Sequence, residues 1–387
     1  MRGYRLQMKK DMAVRQGSAF MKEDAAALKG IAILMMMLHH CFRDASLYDG
    51  YVISFAPFPE QTVVRFALFC KICVSLFAFV SGYGLFQSYR KNTVSPTRWI
   101  AKRYVATFSG YWIVWIIAAF VGQIINGRTG ALLLENGIWK GAVYTAIDFS
   151  GLAKLFETPT LNGTWWYMSA AAVFILLIPL VFRLRKNLIP VLIASVLLLR
   201  VLKGGNGDGV FTGENTVYPF LTPFLLGCIS AEYGVPDRWT AVGRGVWWKK
   251  AIKIAAELAV LVFFYKLYSE VPIKRFWEFH YGMVPFVLIL FVIEWILPIP
   301  GLNRVLRFLG KHSYNIFLIH TFIRSYYLGG VTYSMKHFLL VVLFLLGSSL
   351  VLSIGLEFFK KLVRYNRLEN LLIDRITGEK PLPPDRN

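Results

Sequence analysis

The residues best placed for chemistry are an amine and two imidazoles on one apolar stretch, Leu28-Lys29-Gly30-Ile31-Ala32-Ile33-Leu34-Met35-Met36-Met37-Leu38-His39-His40. Histidine is the side chain whose ordinary pKa lets it gain or lose a proton near neutrality. Read as a helix at about 100° per residue, the step from Lys29 to His40 returns to within roughly 20° of the same face and climbs about 16 Å. One stripe therefore carries Lys29, Ile33, Met36 or Met37, and His40, while His39 points about 100° away. A lone histidine on an apolar helix is often a hydrogen-bonded core residue. At membrane depth, however, a titratable ring is costly and is a functional candidate by default. A neutral imidazole there could take the proton of an attacking hydroxyl.

Other candidates follow along the chain. Ser81 and Gly82 close the run Val74-Ser75-Leu76-Phe77-Ala78-Phe79-Val80-Ser81-Gly82-Tyr83-Gly84, where small residues also permit close helix packing. Arg90, Lys91, Arg98, Lys102 and Arg103 form a basic cluster. Such cations pair with phosphate oxygens, and they equally set membrane topology and meet lipid headgroups. Trp165 and Trp166 within Thr164-Trp165-Trp166-Tyr167-Met168 suit a membrane interface and would also suit stacking on a sugar. His320 and Arg324 share a helix face at i, i+4; pairing with Glu232, Glu257, Glu294 or Glu357 would account for them as well as a substrate role. Cys70 and Cys73 lack the second pair or histidine that a metal site needs. With Cys41 and Cys228 they read as buried inert thiols, and no metal is expected.

These residues must be positioned by membrane helices. The 387-residue chain is 56% hydrophobic and only 17% charged, with a mean hydropathy of +0.51, outside the soluble range. Its +21 formal charge sits in short segments between apolar stretches, which is the topology pattern rather than a nucleic-acid footprint. The reading is an all-α polytopic membrane protein, a single bundle of about ten transmembrane helices near the length a bilayer requires. They run approximately 25–42, 63–87, 104–125, 165–182, 188–202, 216–233, 252–268, 281–298, 313–328 and 338–359. The cations put both termini in the cytoplasm, with Lys29 toward the inner side and His40 toward the outer. Residues 1–23 form a basic leader without a cleavable signal pattern, 24–361 the transmembrane domain, and 362–387 a partly disordered tail. Residues 126–164 make a long outer connection that lies on the surface or dips into the protein. Gly204-Gly205-Asn206-Gly207-Asp208-Gly209 reads as a flexible connector. Asn162-Gly163-Thr164 matches a glycosylation pattern short enough to arise by chance.

Lys29, ten residues, then His40 at the end of the first membrane helix resembles the signature of the acyltransferase 3 family of integral-membrane acyltransferases. Ser81-Gly82-Tyr83 is similar to that family's Ser-Gly-Phe/Tyr, and Arg98 with Lys102-Arg103 to the basic segment after it. Trp165-Trp166-Tyr167 resembles its Trp-Phe/Tyr-Leu motif. Gly310-Lys311-His312-Ser313-Tyr314-Asn315-Ile316-Phe317-Leu318-Ile319-His320 resembles its C-terminal motif, so the likeness covers Asp24 to roughly Lys361. The chain departs by Ser75, where many members carry an acidic residue or proline, and by lacking a proline beyond Arg103.

The resemblance implies His40 as catalytic residue, and Lys29, Arg98, Lys102, Arg103, Ser81, Gly82, Trp165, Trp166, His320 and Arg324 as substrate- or donor-binding residues. It implies acyl-CoA, commonly acetyl-CoA, as co-substrate rather than a permanently bound cofactor. The acceptor would be a hydroxyl of an extracytoplasmic glycan or lipid-linked sugar, and the setting the plasma membrane, among its lipids. A homo-oligomer is compatible with all of this. The rival reading is a transporter or flippase of a small molecule or acyl-lipid. Intramembrane ionisable residues suit it, but no pair of corresponding broken segments marks two repeats.

Overall fold

The structure, a computed structural model, describes residues 20–127, 129–131, 137–203, 217–270 and 279–378. The leader up to residue 19, the 204–209 loop and the chain beyond 378 lie outside the described residues. The main helices are α1 (Lys22–Phe42), α2 (Glu60–Phe69), α3 (Cys73–Arg90), α4 (Pro96–Asn126), α5 (Ile138–Phe149), α6 (Trp166–Arg183) and α7 (Leu188–Lys203). They continue as α8 (Leu221–Tyr233), α9 (Trp247–Glu270), α10 (Val284–Phe291), α11 (Pro300–Thr321), α12 (Phe338–Leu362) and α13 (Tyr365–Thr377). No β-strand occurs among the described residues. Local sequence explains the ends. Asp24 accepts from the Met21 N–H at 2.9 Å and closes the first turn of α1. Ser95 caps α4 with Pro96 in its first turn, and Gly127 ends it at φ 65°, as such residues do.

Among the described residues, five helical stretches are long and apolar enough to cross a membrane: Lys22–Phe42, Glu60–Arg90, Pro96–Asn126, Gly163–Arg183 and Phe338–Leu362. The second contains α2 and α3, joined by a 3₁₀ turn at Cys70–Ile72. In α12 only 28% of the apolar window is covered by protein, so lipid must cover the rest. The chain is thus an integral membrane protein. The count of about ten crossings goes beyond what length and apolarity establish, for instructive reasons. α8 has 13 residues, and α11 carries Arg304, Arg307 and Lys311. Yet α11 buries Asn303, Ser313, Asn315 and His320 against protein. A helix enclosed by other helices has no need to be apolar all round.

The two most extensive helix pairings are α1 with α11 and α3 with α8. Each is pinned by a pair of glycines. A Cβ on Gly310 would stand 1.7 Å from the Ala26 carbonyl oxygen, and one on Gly30 would stand 2.1 Å from that of Leu306. Ten residues further along both helices, the His40 and His320 rings meet. The helices therefore run parallel, residue i of α1 beside residue i + 280 of α11. On the other pair, Gly82 would meet the Phe224 carbonyl at 2.1 Å and Gly227 that of Phe79 at 2.2 Å. Backbones approach this closely only where side chains are absent.

The connection between α4 and α6 is exposed in one part and buried in another. α5 exposes Ile138 and Trp139, and at its end Asp148 is buried. The Asp148 carboxylate accepts from the Trp115 indole at 2.8 Å and from the Leu161 N–H at 3.1 Å. The tail begins with α13, whose side chains along α4 include Tyr365, hydrogen-bonded to Ser109. The chain past residue 362 is thus helical over Tyr365–Thr377.

Candidate active site

The first helix sorts its stripe into two roles. Lys29 and Met36 line a cavity of about 340 Å³, together with Ser81 and Val80 of α3, Trp166 and Tyr167 of α6, and Tyr314 and Phe317 of α11. The cavity is mostly apolar and follows α1 from Lys29 up to Met36, one turn short of His40. Ile33 and Met37 are fully buried in the core instead. Of the two methionines on the stripe, Met36 and Met37, packing therefore selects Met36 for the cavity.

The two adjacent histidines differ sharply. His39 is buried, and its Nδ1 donates to the Ala67 carbonyl at 2.8 Å, tying α1 to α2. That bond assigns the proton to Nδ1, since a carbonyl can only accept. His40 remains partly accessible and hydrogen-bonds to no described residue. Its ring lies 4.9 Å from that of His320, tilted by 42°, and 5.2 Å from that of His39. An imidazole without a protein partner has one donor and one acceptor nitrogen left open.

His320 is fully buried and fixed. Its Nδ1 donates to the carbonyls of Phe317 at 2.9 Å and Ile316 at 3.2 Å. Nε2 is then an acceptor, 3.2 Å from the Thr321 hydroxyl. That hydroxyl lies 3.0 Å from the Thr164 hydroxyl, which donates to Asn162 Oδ1 at 2.8 Å. A row of hydroxyls thus links His320 to Asn162 at the start of the turn before α6. Asn162 itself is fully buried and also accepts from the Thr164 N–H at 3.0 Å. Its place in a glycosylation pattern is therefore a coincidence of spelling; the residue is a helix cap. Asn162→Ala should cost about 0.5–2 kcal/mol of stability, read as a lowered melting temperature of the purified protein, with no change in glycan mass.

A second, more polar cavity of about 330 Å³ lies behind α6, lined among others by Asp148, Lys154, Glu157, Thr160 and Trp166. Trp166 belongs to both cavities. Glu157 at its edge holds a left-handed φ of 52°, a conformation that costs energy unless the surroundings impose it.

The remaining sequence candidates fall in different places. Ser81 faces the cavity. Gly82 instead presents its backbone to α8, accepting from Cys228 Sγ at 3.5 Å. Trp165 is buried, donates to the Leu318 carbonyl at 3.0 Å, and meets Tyr111 edge-on at 4.9 Å; it locks α6 to α11. Arg98 donates to the Thr377 carbonyl at 3.1 Å and caps α13. Arg103 bonds Ser88 and lies over Trp99 at 5.7 Å. Neither these two nor Lys102 lines the central cavity. Arg324 is buried beside His39, His40 and His320. Sequence reasoning passed over Tyr167, whose buried hydroxyl has no hydrogen-bond partner although Ser81 stands beside it. It also passed over Thr164 and Thr321. Threonine is too common for type alone to flag it, and only the approach of α6 to α11 brings the two together. Among the described residues no group of histidine, cysteine or carboxylate side chains could hold a metal ion.

Comparison with protein families matches residues 25–358 to an acyltransferase domain of the type 3 class, nearly the whole of the described bundle. No curated protein and no solved structure matches the chain.

Proposed function

The chain belongs to the acyltransferase 3 family, and from that premise we propose that it moves a short acyl group, acetyl foremost, from acyl-CoA to a hydroxyl of an extracytoplasmic glycan or lipid-linked sugar. The observation that carries this reading is the partnerless, accessible ring of His40 above a cavity that begins at Lys29. The coenzyme's nucleotide stays at the Lys29 end and its thin arm occupies the apolar cavity. The roughly 16 Å of helix between Lys29 and His40 is comparable to the reach of that arm. The polar cavity behind Trp166 seats the sugar, with the indole available for stacking.

In the chemical step the acceptor oxygen attacks the thioester carbonyl carbon while His40 takes the hydroxyl proton. The new C–O bond forms, the C–S bond breaks, and the proton passes to the departing thiolate, leaving an ester and free coenzyme thiol. The two backbone carbonyls and the Thr321 hydroxyl around His320 hold that ring in one orientation, and the His40 ring lies against it at 4.9 Å. Burial in a low-dielectric bundle strengthens every polar contact the transition state makes.

The test has two arms. Purified protein in lipid nanodiscs is given acetyl-CoA, and release of free thiol is followed. In parallel, cell-surface glycan masses are compared with and without the protein. The reading expects thiol release and one acyl-sized mass increment per modified sugar. Identical glycan masses together with no thiol release would overturn it.

A further inference from the structure

Arg324 is a guanidinium in search of an anion. It is 8% exposed, and its Nε is buried with no hydrogen-bond partner. A guanidinium cannot shed its charge in a protein and offers five N–H donors. Burying one without a counter-charge is among the costliest arrangements a fold can keep. The four glutamates that the sequence offers as its partners are engaged elsewhere. Glu232 pairs with Arg90 and Glu294 with Lys253. Glu257 accepts the indoles of Trp239 and Trp295, both at 2.6 Å. Glu357 pairs with Lys360 at 2.9 Å and takes the Asn315 amide at 2.8 Å. What stands beside Arg324 is the phenol of Tyr333, whose hydroxyl donates to the Cys41 carbonyl at 3.1 Å. Its other neighbours include the three imidazoles.

We infer that Arg324 is a carboxylate-binding residue next to the reacting imidazole, so that one of the two substrates brings a carboxylate to it. This rests on the acyltransferase reading above. The planar fork matches a carboxylate with two parallel bonds, and a single negative charge balances the single positive one. The carboxylate has two chemical sources. An acidic sugar acceptor would carry it next to the hydroxyl that is acylated, or a dicarboxylic acyl group such as succinyl would carry it on the donor side. Either way, the anion orients the reactants at His40 from Arg324, four residues beyond His320 in the π-helical turn that follows α11.

Full-length protein in nanodiscs distinguishes these. The first arm measures binding alone: glucuronate against glucose, and succinyl-CoA against acetyl-CoA, by calorimetry on wild type, Arg324→Gln and Arg324→Lys. The second measures transfer as the ratio of rates for the same pairs. In wild type, one pair should favour its carboxylate-bearing member by at least about tenfold, the scale of a charge-assisted bidentate contact. Arg324→Gln should bring that ratio to near unity, and Arg324→Lys, which keeps the charge and loses the fork, should fall between. Preference in the sugar pair assigns the acceptor, and preference in the donor pair assigns the acyl group. No preference in either pair, or a preference that survives in Arg324→Gln, overturns the inference. Binding preference without any transfer would sink the acyltransferase reading and leave the anion site standing. Melting temperatures of the variants identify any that fail to fold, and Arg324→Lys then carries the comparison.

Discussion

Replacing His40 by alanine should lower acyl transfer by about a hundred- to ten-thousand-fold, the range that a positioned general base contributes. The structure makes this a sharp expectation because His40 hydrogen-bonds to no described residue. Its removal breaks no protein hydrogen bond, so melting temperature and yield should stay close to wild type. His39→Ala makes the opposite trade. It strips the Ala67 carbonyl of its donor in a buried place, at about 1–3 kcal/mol, yet leaves the ring beside His320 intact. Thiol release by the two variants, side by side with their melting curves, checks both halves. If His40→Ala turned over acyl-CoA normally, the base would have to be found elsewhere, and His320 would be the first place to look.

Gly310→Ala should be the most damaging small change in the bundle. Alanine normally stabilises a helix by about 1 kcal/mol relative to glycine. At position 310 the added methyl would sit 1.7 Å from the Ala26 carbonyl oxygen, and no rotamer change can move a backbone atom aside. α1 and α11 must separate, which also pulls His40 from His320. Overpacking of an ordinary core costs about 1–3 kcal/mol, and a forced backbone shift belongs at or above the top of that range. Gly347→Ala on α12 is the control. Nothing lies within 4 Å of its would-be Cβ, so the ordinary helix gain should appear. Thermal unfolding in detergent should order the three proteins as Gly347→Ala at or above wild type, and Gly310→Ala far below. Equal stability of Gly310→Ala and wild type would mean that the parallel pairing is wrong.

Much of the architecture was legible because a bilayer makes severe demands on a sequence. Long apolar runs separated by cations leave few alternatives to membrane helices. The helices that the runs under-describe are those shielded from lipid. α11 starts at Pro300, well before the residue 313 read from hydropathy, because its polar first half packs on α1 and needs no apolar face toward lipid. The tail helix α13 was missed for a related reason. Its leucines Leu368, Leu371 and Leu372 stay exposed, and short amphipathic stretches resemble the polar tails in which they occur.

By itself, then, the chain's order of residues determined the helical membrane character, the family, and the stripe that links Lys29 to His40. These are properties of one helix and its composition, and periodicity is enough to read them. Only the tertiary structure decided which histidine is open and which is tied down, which methionine meets the cavity, and which tryptophan stacks in the core. It also decided that four glutamates all turn away from Arg324. Those outcomes depend on neighbours from 28 residues distant, as for His39 and Ala67, to 280, as for His40 and His320, the latter brought together by glycines whose missing side chains let two backbones touch.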